Sequence, residues 1–416
     1  MHGASRTPRT LHFTNAWHAT SGGISTFYRE LMRYAGDHGR AMTLVVPGES
    51  TRTEDIGENI RICHIAADLS RMGGGGYRVM WPWGPGGQAI RTILRSEQPD
   101  LVEISDKYGL AMIGGLLRGS LVRGIRLRPV LLGVSHERMH DNVAAYLGLG
   151  GLGRWVSRTH LKRYYWLMFD HHAANSAYTA NELVPASRDH RVYRWLHVLP
   201  MGVDSASFDP ADRTAEARCA LALRAGCPCD SRLLMYVGRL AQEKNLPLLV
   251  DTLERLPDSY HLTVAGDGKL REWLLDVGNR RTGQRIHWLG HLKTRRELAS
   301  ALAGADVFVH PNAAEPFGIA PLEAMAAGTP VVLPTSGGVL SYASEENAWL
   351  ADPEGESFAR RISELFATGP ERERRAAAGR RTAVAHDWSR VAERWFGLYD
   401  AAVAGLPIPA ETPASD

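Results

Sequence analysis

Twice along this chain an apolar run stops at a glycine turn and gives way to a helix of amphipathic period, and few folds accommodate that order. Leu11-His12-Phe13-Thr14-Asn15-Ala16 reads as a buried strand that runs into Thr20-Ser21-Gly22-Gly23 and then a helix from Ile24 to Tyr34. Strand, glycine turn and helix open a parallel α/β layer. Apolar runs at Met42 to Val46, Arg61 to Ile65, Leu101 to Ile104 and Val130 to Val134 continue it as a doubly wound pattern. The order restarts with a strand at Leu233 to Val237, the turn Gly238-Arg239-Leu240, and Glu243-Lys244-Asn245 leading into a helix from Leu246. Strands at Leu262 to Ala265, Ile286 to Gly290, Asp306 to His310 and from Val331 follow. The chain is therefore read as two α/β domains in tandem, joined at the turn-rich Pro200-Met201-Gly202-Val203-Asp204. Residues 1–200 form the first, 201–386 the second, 387–405 a closing amphipathic helix and 406–416 a tail.

A length of 416 residues suits two to three domains, and the net charge of +3, with both signs interspersed, argues against a dedicated nucleic-acid binder. Cys63 stands alone, while Cys219, Cys227 and Cys229 cluster without a C-x-x-C spacing or a histidine at finger-like distance. Reduced thiols and no metal are the expectation. Met1 to Thr10 has no apolar signal core, and no apolar run reaches the roughly 18 residues of a membrane span. The expected location is cytoplasmic, soluble or peripheral to a membrane.

The richest stretch runs from His310 to Val332. It reads as a buried strand, a loop carrying Glu315, and a helix carrying Glu323 in its first turn, with Pro321 where no amide donor is lost. The amides of Phe317, Gly318 and Ile319 then point outward as an anion site, and both glutamates can face one crevice at the carboxyl ends of the strands. Two glutamates eight apart are also common without function. Arg239 and Lys244, five apart across a strand-to-helix turn, can converge on one anion, a diphosphate being the natural guest, or can be solvated surface cations. Gly22 and Gly23 let backbone approach a ligand, or make a plain tight turn. His136 ends the Val130 strand and is read as pointing into the same crevice as Gly22-Gly23. Arg71 to Gly87, with Gly73-Gly74-Gly75-Gly76 and Trp81-Pro82-Trp83, reads as a loop near a binding surface. Trp155-Phe169 is helical in period and mixes aromatic residues with Lys162 and Arg163, beside Arg154. Such a helix could sit at an anionic bilayer, and could equally pack its apolar stripe on the sheet.

Taken together, Glu315 to Glu323 within Glu-Pro-Phe-Gly-Ile-Ala-Pro-Leu-Glu-Ala, Val237-Gly238-Arg239-Leu240 with Glu243-Lys244, Gly202-Val203-Asp204 and Ala265-Gly266-Asp267-Gly268 resemble glycosyltransferase family 4, retaining enzymes of the GT-B fold. The resemblance implies two Rossmann-like parallel-sheet domains facing across a cleft, with the last helix, Trp388 to Ala404, crossing back to the first domain. It implies that Arg239 and Lys244 hold the donor diphosphate, Glu323 the ribose and Glu315 the transferred sugar. The amides of Phe317, Gly318 and Ile319 would bind sugar hydroxyls or phosphate oxygens. Gly22, Gly23 and Gly238 belong to the donor-binding set, with Gly23 approaching the diphosphate and His136 contacting donor sugar or acceptor. Neither cofactor nor metal is implied, and the leaving phosphate helps remove the acceptor proton. Asp100 to Asp106 and Ser135-His136-Glu137-Arg138 look like actinobacterial lipid mannosyltransferases. They lean the expectation to GDP-mannose as donor, and to a hydroxyl acceptor that is lipid-linked, at the inner face of the plasma membrane. A UDP-sugar with a saccharide or small-molecule acceptor stays open. So do a sugar-nucleotide epimerase of the same fold and a non-catalytic nucleotide-sugar-binding protein.

Overall fold

A computed structural model of the protein describes residues 7–18, 22–69, 77–141, 143, 150–185 and 196–407. The chain divides into two compact units, Met1–Pro200 with Ser389–Asp416, and Met201–Trp388. Among the described residues the first holds eight strands: β1 (Arg9–Phe13), β2 (Ala41–Gly48), β3 (Arg52–Gly57), β4 (Ile60–Ala66), β5 (Leu101–Ile104), β6 (Val130–Ser135), β7 (His171–Ala174) and β8 (Leu196–Val198). They form one sheet in the order β3-β4-β2-β1-β5-β6-β7-β8. Every pairing is parallel except that of β3 with β4. All four residues of β5 are buried, as expected of a central strand covered on both faces.

Several stretches depart from the sequence reading. β3, Arg-Thr-Glu-Asp-Ile-Gly, is exposed at every position and has no apolar alternation to betray it; its charges suit an unprotected sheet edge. β7 and β8 are only four and three residues long, too short for a periodicity to register. The stretch from Arg71 to Gly87 is not loop throughout, because a helix begins at Gly84 with Pro85 in its first turn, where proline loses no hydrogen bond. Trp81 and Trp83 stack at 5.0 Å just before it, and Gly73 to Gly76 lie outside the described residues.

The second unit contributes β9 (Arg232–Val237), β10 (Tyr260–Ala265), β11 (Ile286–Gly290), β12 (Val307–Val309), β13 (Val331–Pro334) and β14 (Trp349–Ala351). The sheet is parallel throughout, in the order β11-β10-β9-β12-β13-β14. The chain starts in the middle, winds to one edge, then crosses to wind toward the other, the Rossmann order with a switch point between β9 and β12. Leu234, Tyr236, Leu262, Val264, Val307 and Val309 meet Leu249, Leu253, Phe358 and Ile362 in one core cluster.

The expectation of reduced thiols is overturned for one pair: Cys219 and Cys229 form a disulfide, their Cα atoms 4.7 Å apart. The helix Ala215–Ala225 ends at Gly226 in the left-handed region, φ +75°. That turn folds the following segment back onto the helix, which spacing alone does not reveal. Cys63 and Cys227 are free and buried.

Of the last helix, Trp388–Ala404, the residues from Ser389 onward belong with the first unit. Trp395, Phe396 and Tyr399 are buried, each contributing roughly 2–3 kcal/mol by leaving water. The Trp395 ring meets Phe27 at 5.0 Å, and its Nε1 donates to the Pro200 carbonyl at 3.3 Å. The Tyr399 hydroxyl donates to Glu103, a wholly buried carboxylate that also accepts from Tyr28 at 2.8 Å and lies 3.2 Å from His12. Burial opposes the charge on Glu103, but His12 and the hydroxyls hold its carboxyl below the usual range.

Candidate active site

The switch point of the second sheet places the ends of β9 and β12 side by side, and the loops leaving them carry most of the candidate residues. β12 delivers His310, after which Asn312 folds the loop by accepting the Ala314 amide at 3.0 Å. Glu315 is thereby turned inward and is 9% exposed. One carboxylate oxygen, Oε2, accepts from Lys244 Nζ at 2.7 Å, Asn312 Nδ2 at 2.8 Å and His310 Nε2 at 3.2 Å. Burial would push this carboxyl up, but Lys244 and His310 overcome it and hold Glu315 well below the usual carboxylate range. Lys244 ends a short turn, Gln242–Lys244, closed by Asn245 at φ +50°.

Beyond Glu315 the backbone takes a shape only glycine tolerates well. Gly318 sits at φ +87°, and a Cβ there would lie 3.0 Å from both the Tyr342 hydroxyl and Val339. Its carbonyl accepts from Tyr342 at 2.6 Å. The helix Ile319–Ala326 follows with Pro321 as its third residue. Among the described residues the amides of Phe317, Gly318 and Ile319 have no acceptor. Three free donors at a positive dipole end, beside a buried cation and carboxylate pair, can receive a polyhydroxylated anion.

Glu323 is the fifth residue of that helix, just past the first turn rather than within it. Burial pushes its carboxyl up to about 7; Arg295 works against the shift and Asp204 adds to it. Arg295 in turn pairs with Asp204, which accepts the Ser207 amide at 3.2 Å. Arg239 follows β9 and Gly238; its side chain is exposed and lies 3.0 Å from Glu243. Lys244 and Glu315 are thus brought into contact, while Arg239 and Lys244 each face a different carboxylate.

In the first unit Gly22 caps the helix Gly23–Asp37 with no acidic residue in its first turn. Among the described residues nothing would lie within 4 Å of a Cβ at Gly22, so their packing does not demand glycine there. His136 follows β6 and is buried, its ring edge-on to Phe27 at 4.8 Å and Tyr28 at 6.3 Å, both on that helix. Among the described residues neither ring nitrogen has a hydrogen-bond partner. Burial is the main cause that brings its pKa down to about 4, so the ring is neutral near pH 7.

Sequence reasoning assigned no role to His310, Asn312, Arg295 or Asp204. The first two carried a signal, polar side chains directly after a buried strand and three to five residues before a candidate carboxylate. Arg295 had none, since its partner Asp204 lies 91 residues away.

Residues 21–207 match the family model Glycosyltransferase Family 4, and residues 225–382 match Glycosyl transferases group 1. The chain is 30% identical over 312 residues to the GDP-mannose-dependent alpha-mannosyltransferase of Mycobacterium tuberculosis, 74% of each protein. This chain belongs to glycosyltransferase family 4. A second M. tuberculosis relative, the GDP-mannose-dependent alpha-(1-6)-phosphatidylinositol dimannoside mannosyltransferase, is 28% identical over 388 residues, 92% of this chain and 94% of that one. Sucrose-phosphate synthase from Thermosynechococcus elongatus superposes with a TM-score of 0.75 over 96% of this chain and 100% of its own, at 20% identity. That likeness establishes the GT-B fold. As a family-4 member the chain is a glycosyltransferase, and its two Rossmann-like units are those of the fold.

Proposed function

We propose that this glycosyltransferase moves a hexose, with retained anomeric configuration and without a metal, from a nucleoside-diphosphate sugar to a hydroxyl of a lipid-linked acceptor, with GDP-mannose as the donor. The observation that carries the reading is the contact of Lys244 with buried Glu315 beside the unpaired amides of Phe317, Gly318 and Ile319. When a donor binds, Lys244 is drawn from Glu315 to the diphosphate, and Arg239 swings from Glu243 to join it. Glu315, still held by Asn312 and His310, then accepts from hydroxyls of the transferred sugar. Glu323 accepts from the ribose. As the anomeric carbon to phosphate oxygen bond breaks, the two cations stabilise the charge gathering on the diphosphate. The acceptor oxygen bonds to the anomeric carbon on the same face, and its proton passes to a phosphate oxygen of the leaving group. No carboxylate base is needed, and neutral His136 serves as a hydrogen-bonding contact for donor sugar or acceptor.

GDP-mannose is favoured because both mycobacterial relatives are named as dependent on it. A lipid acceptor is favoured by the helical segment from Gly150 to Met168. Leu161, Tyr165 and Trp166 are buried, leaving Leu152, Trp155, Val156, Tyr164 and Leu167 exposed among Arg154, Arg158 and Arg163. Among the described residues no helix is long and apolar enough to cross a membrane. This face would instead rest on an anionic bilayer at the cytoplasmic side, each basic residue contributing about 1 kcal/mol near the surface. The donor reading is tested by melting temperature with GDP, UDP and ADP in turn, since a ligand of the native state raises it according to affinity. GDP should give the largest rise, and a larger rise with UDP would refute GDP-mannose as donor.

A further inference from the structure

Away from these loops, the second unit gathers three metal-ligating side chains that the transfer reaction does not use. His261 and His287 are the second residues of β10 and β11, adjacent parallel strands at the sheet's edge. Their rings stack at 5.1 Å, with His261 Nδ1 and His287 Nε2 2.9 Å apart. Cys227, buried, closes the group from the segment between the helix Ala215–Ala225 and β9, and the ligand atoms of all three lie within 4.8 Å of one another.

We propose that Cys227, His261 and His287 bind a zinc ion, with water as the fourth ligand. One thiolate and two imidazoles form a mixed sulfur and nitrogen set that favours tetrahedral zinc. Two nitrogens on such an ion sit roughly 3.3 Å apart given zinc–nitrogen bonds of about 2.0–2.1 Å, so the pair need open only slightly. On binding, the Cys227 thiol proton leaves to solvent, and the hydrogen between the rings is exchanged through water to the nitrogen of its ring that faces away from the ion, so both rings bind as neutral imidazoles. The role is structural. All three ligands lie at the amino ends of strands β9, β10 and β11, whereas the loops carrying Arg239 and Glu315 leave carboxyl ends, so the ion clips edge strand β11 and its neighbour to the segment entering β9. The disulfide removes Cys219 and Cys229 as competing thiolates.

The test titrates the full chain, without thiol reductant, with Zn2+ against a colorimetric chelator and with Co2+ as a spectroscopic stand-in. One equivalent should bind, the Co2+ form showing tetrahedral bands and a thiolate charge-transfer band. Cys227→Ser should lose that band, and His287→Gln should weaken Zn2+ binding at least about tenfold. Zn2+ should raise the melting temperature of the unaltered protein and not of Cys227→Ser. A wild-type Co2+ spectrum without the thiolate band, or undiminished Zn2+ binding by Cys227→Ser, would overturn the assignment. The wild-type spectrum decides even if the variants fail to fold.

Discussion

Replacing Lys244 with alanine strips the buried Glu315 carboxylate of a lysine contact at 2.7 Å, its only lysine or arginine contact among the described residues. Removing one partner of a buried pair costs about 3–5 kcal/mol. Asn312 and His310 still donate to the same oxygen, which puts the expected loss near 3 kcal/mol, the low end of that range. In a unit of this size that lowers the melting temperature by roughly 6–12 °C. The pH dependence gives the sharper signature. Because Glu315 is held below its unfolded value, its contribution is complete above about pH 4.3 and fades as the pH falls toward the folded value. Without Lys244 the effect of burial raises that carboxyl. The deficit of Lys244→Ala relative to wild type should therefore be largest at neutral pH and shrink below about pH 4. Denaturant unfolding at a series of pH values reads this directly, and Glu315→Gln added to Lys244→Ala should recover much of the loss. Turnover should fall roughly 10²-fold or more for want of a cation to stabilise the charge on the leaving diphosphate. A variant as stable as wild type at pH 7, or one whose deficit is the same at pH 4 and pH 7, would refute this account of the pair.

Burial pushes the Glu323 carboxyl up to about 7, and its ionised form is the better acceptor for ribose hydroxyls. GDP affinity should therefore weaken as pH falls below 7, approaching tenfold per unit. Glu323→Gln should flatten that part of the profile, and calorimetry showing identical profiles would remove the ribose role. Gly318→Ala forces a side chain into the left-handed region against Tyr342 and Val339; a loss of about 1–2 kcal/mol is expected from unfolding curves, with a larger effect on donor KM than on kcat. A chelator should leave the initial transfer rate unchanged below the melting temperature, and its abolition would require a metal in the reaction. Anionic phospholipid vesicles should sediment the protein, while neutral vesicles and Trp155→Glu should not; equal binding to both vesicle types would argue against the basic face.

The sequence made the second unit the more legible half, because its candidate site residues follow buried strands through glycine or proline turns. Gly238 and Gly318 shape those turns, and Pro321 the start of the helix beyond, by backbone sterics that the residue types alone make plain. What the residues touch was less visible. Lys244 read as a partner of Arg239, yet the turn ending at Asn245 aims it at Glu315, 71 residues away. The pairing of Cys219 with Cys229 and the convergence of Cys227, His261 and His287 likewise depend on chain reversals and strand register that spacing does not encode. β3 was hidden for the opposite reason: an edge strand with every side chain in water carries no hydrophobic period.

The reaction proposed for this chain is transfer of a hexose from a nucleotide sugar with retention. The most direct measurement incubates the protein with GDP-mannose and a lipid-linked hydroxyl acceptor in anionic vesicles, then reads the anomeric configuration of the isolated product by NMR. An α-linked mannose on the lipid, formed with one GDP released per sugar transferred, is the predicted result. A β linkage, or a sugar nucleotide isomerised while no sugar reaches an acceptor, would contradict the account.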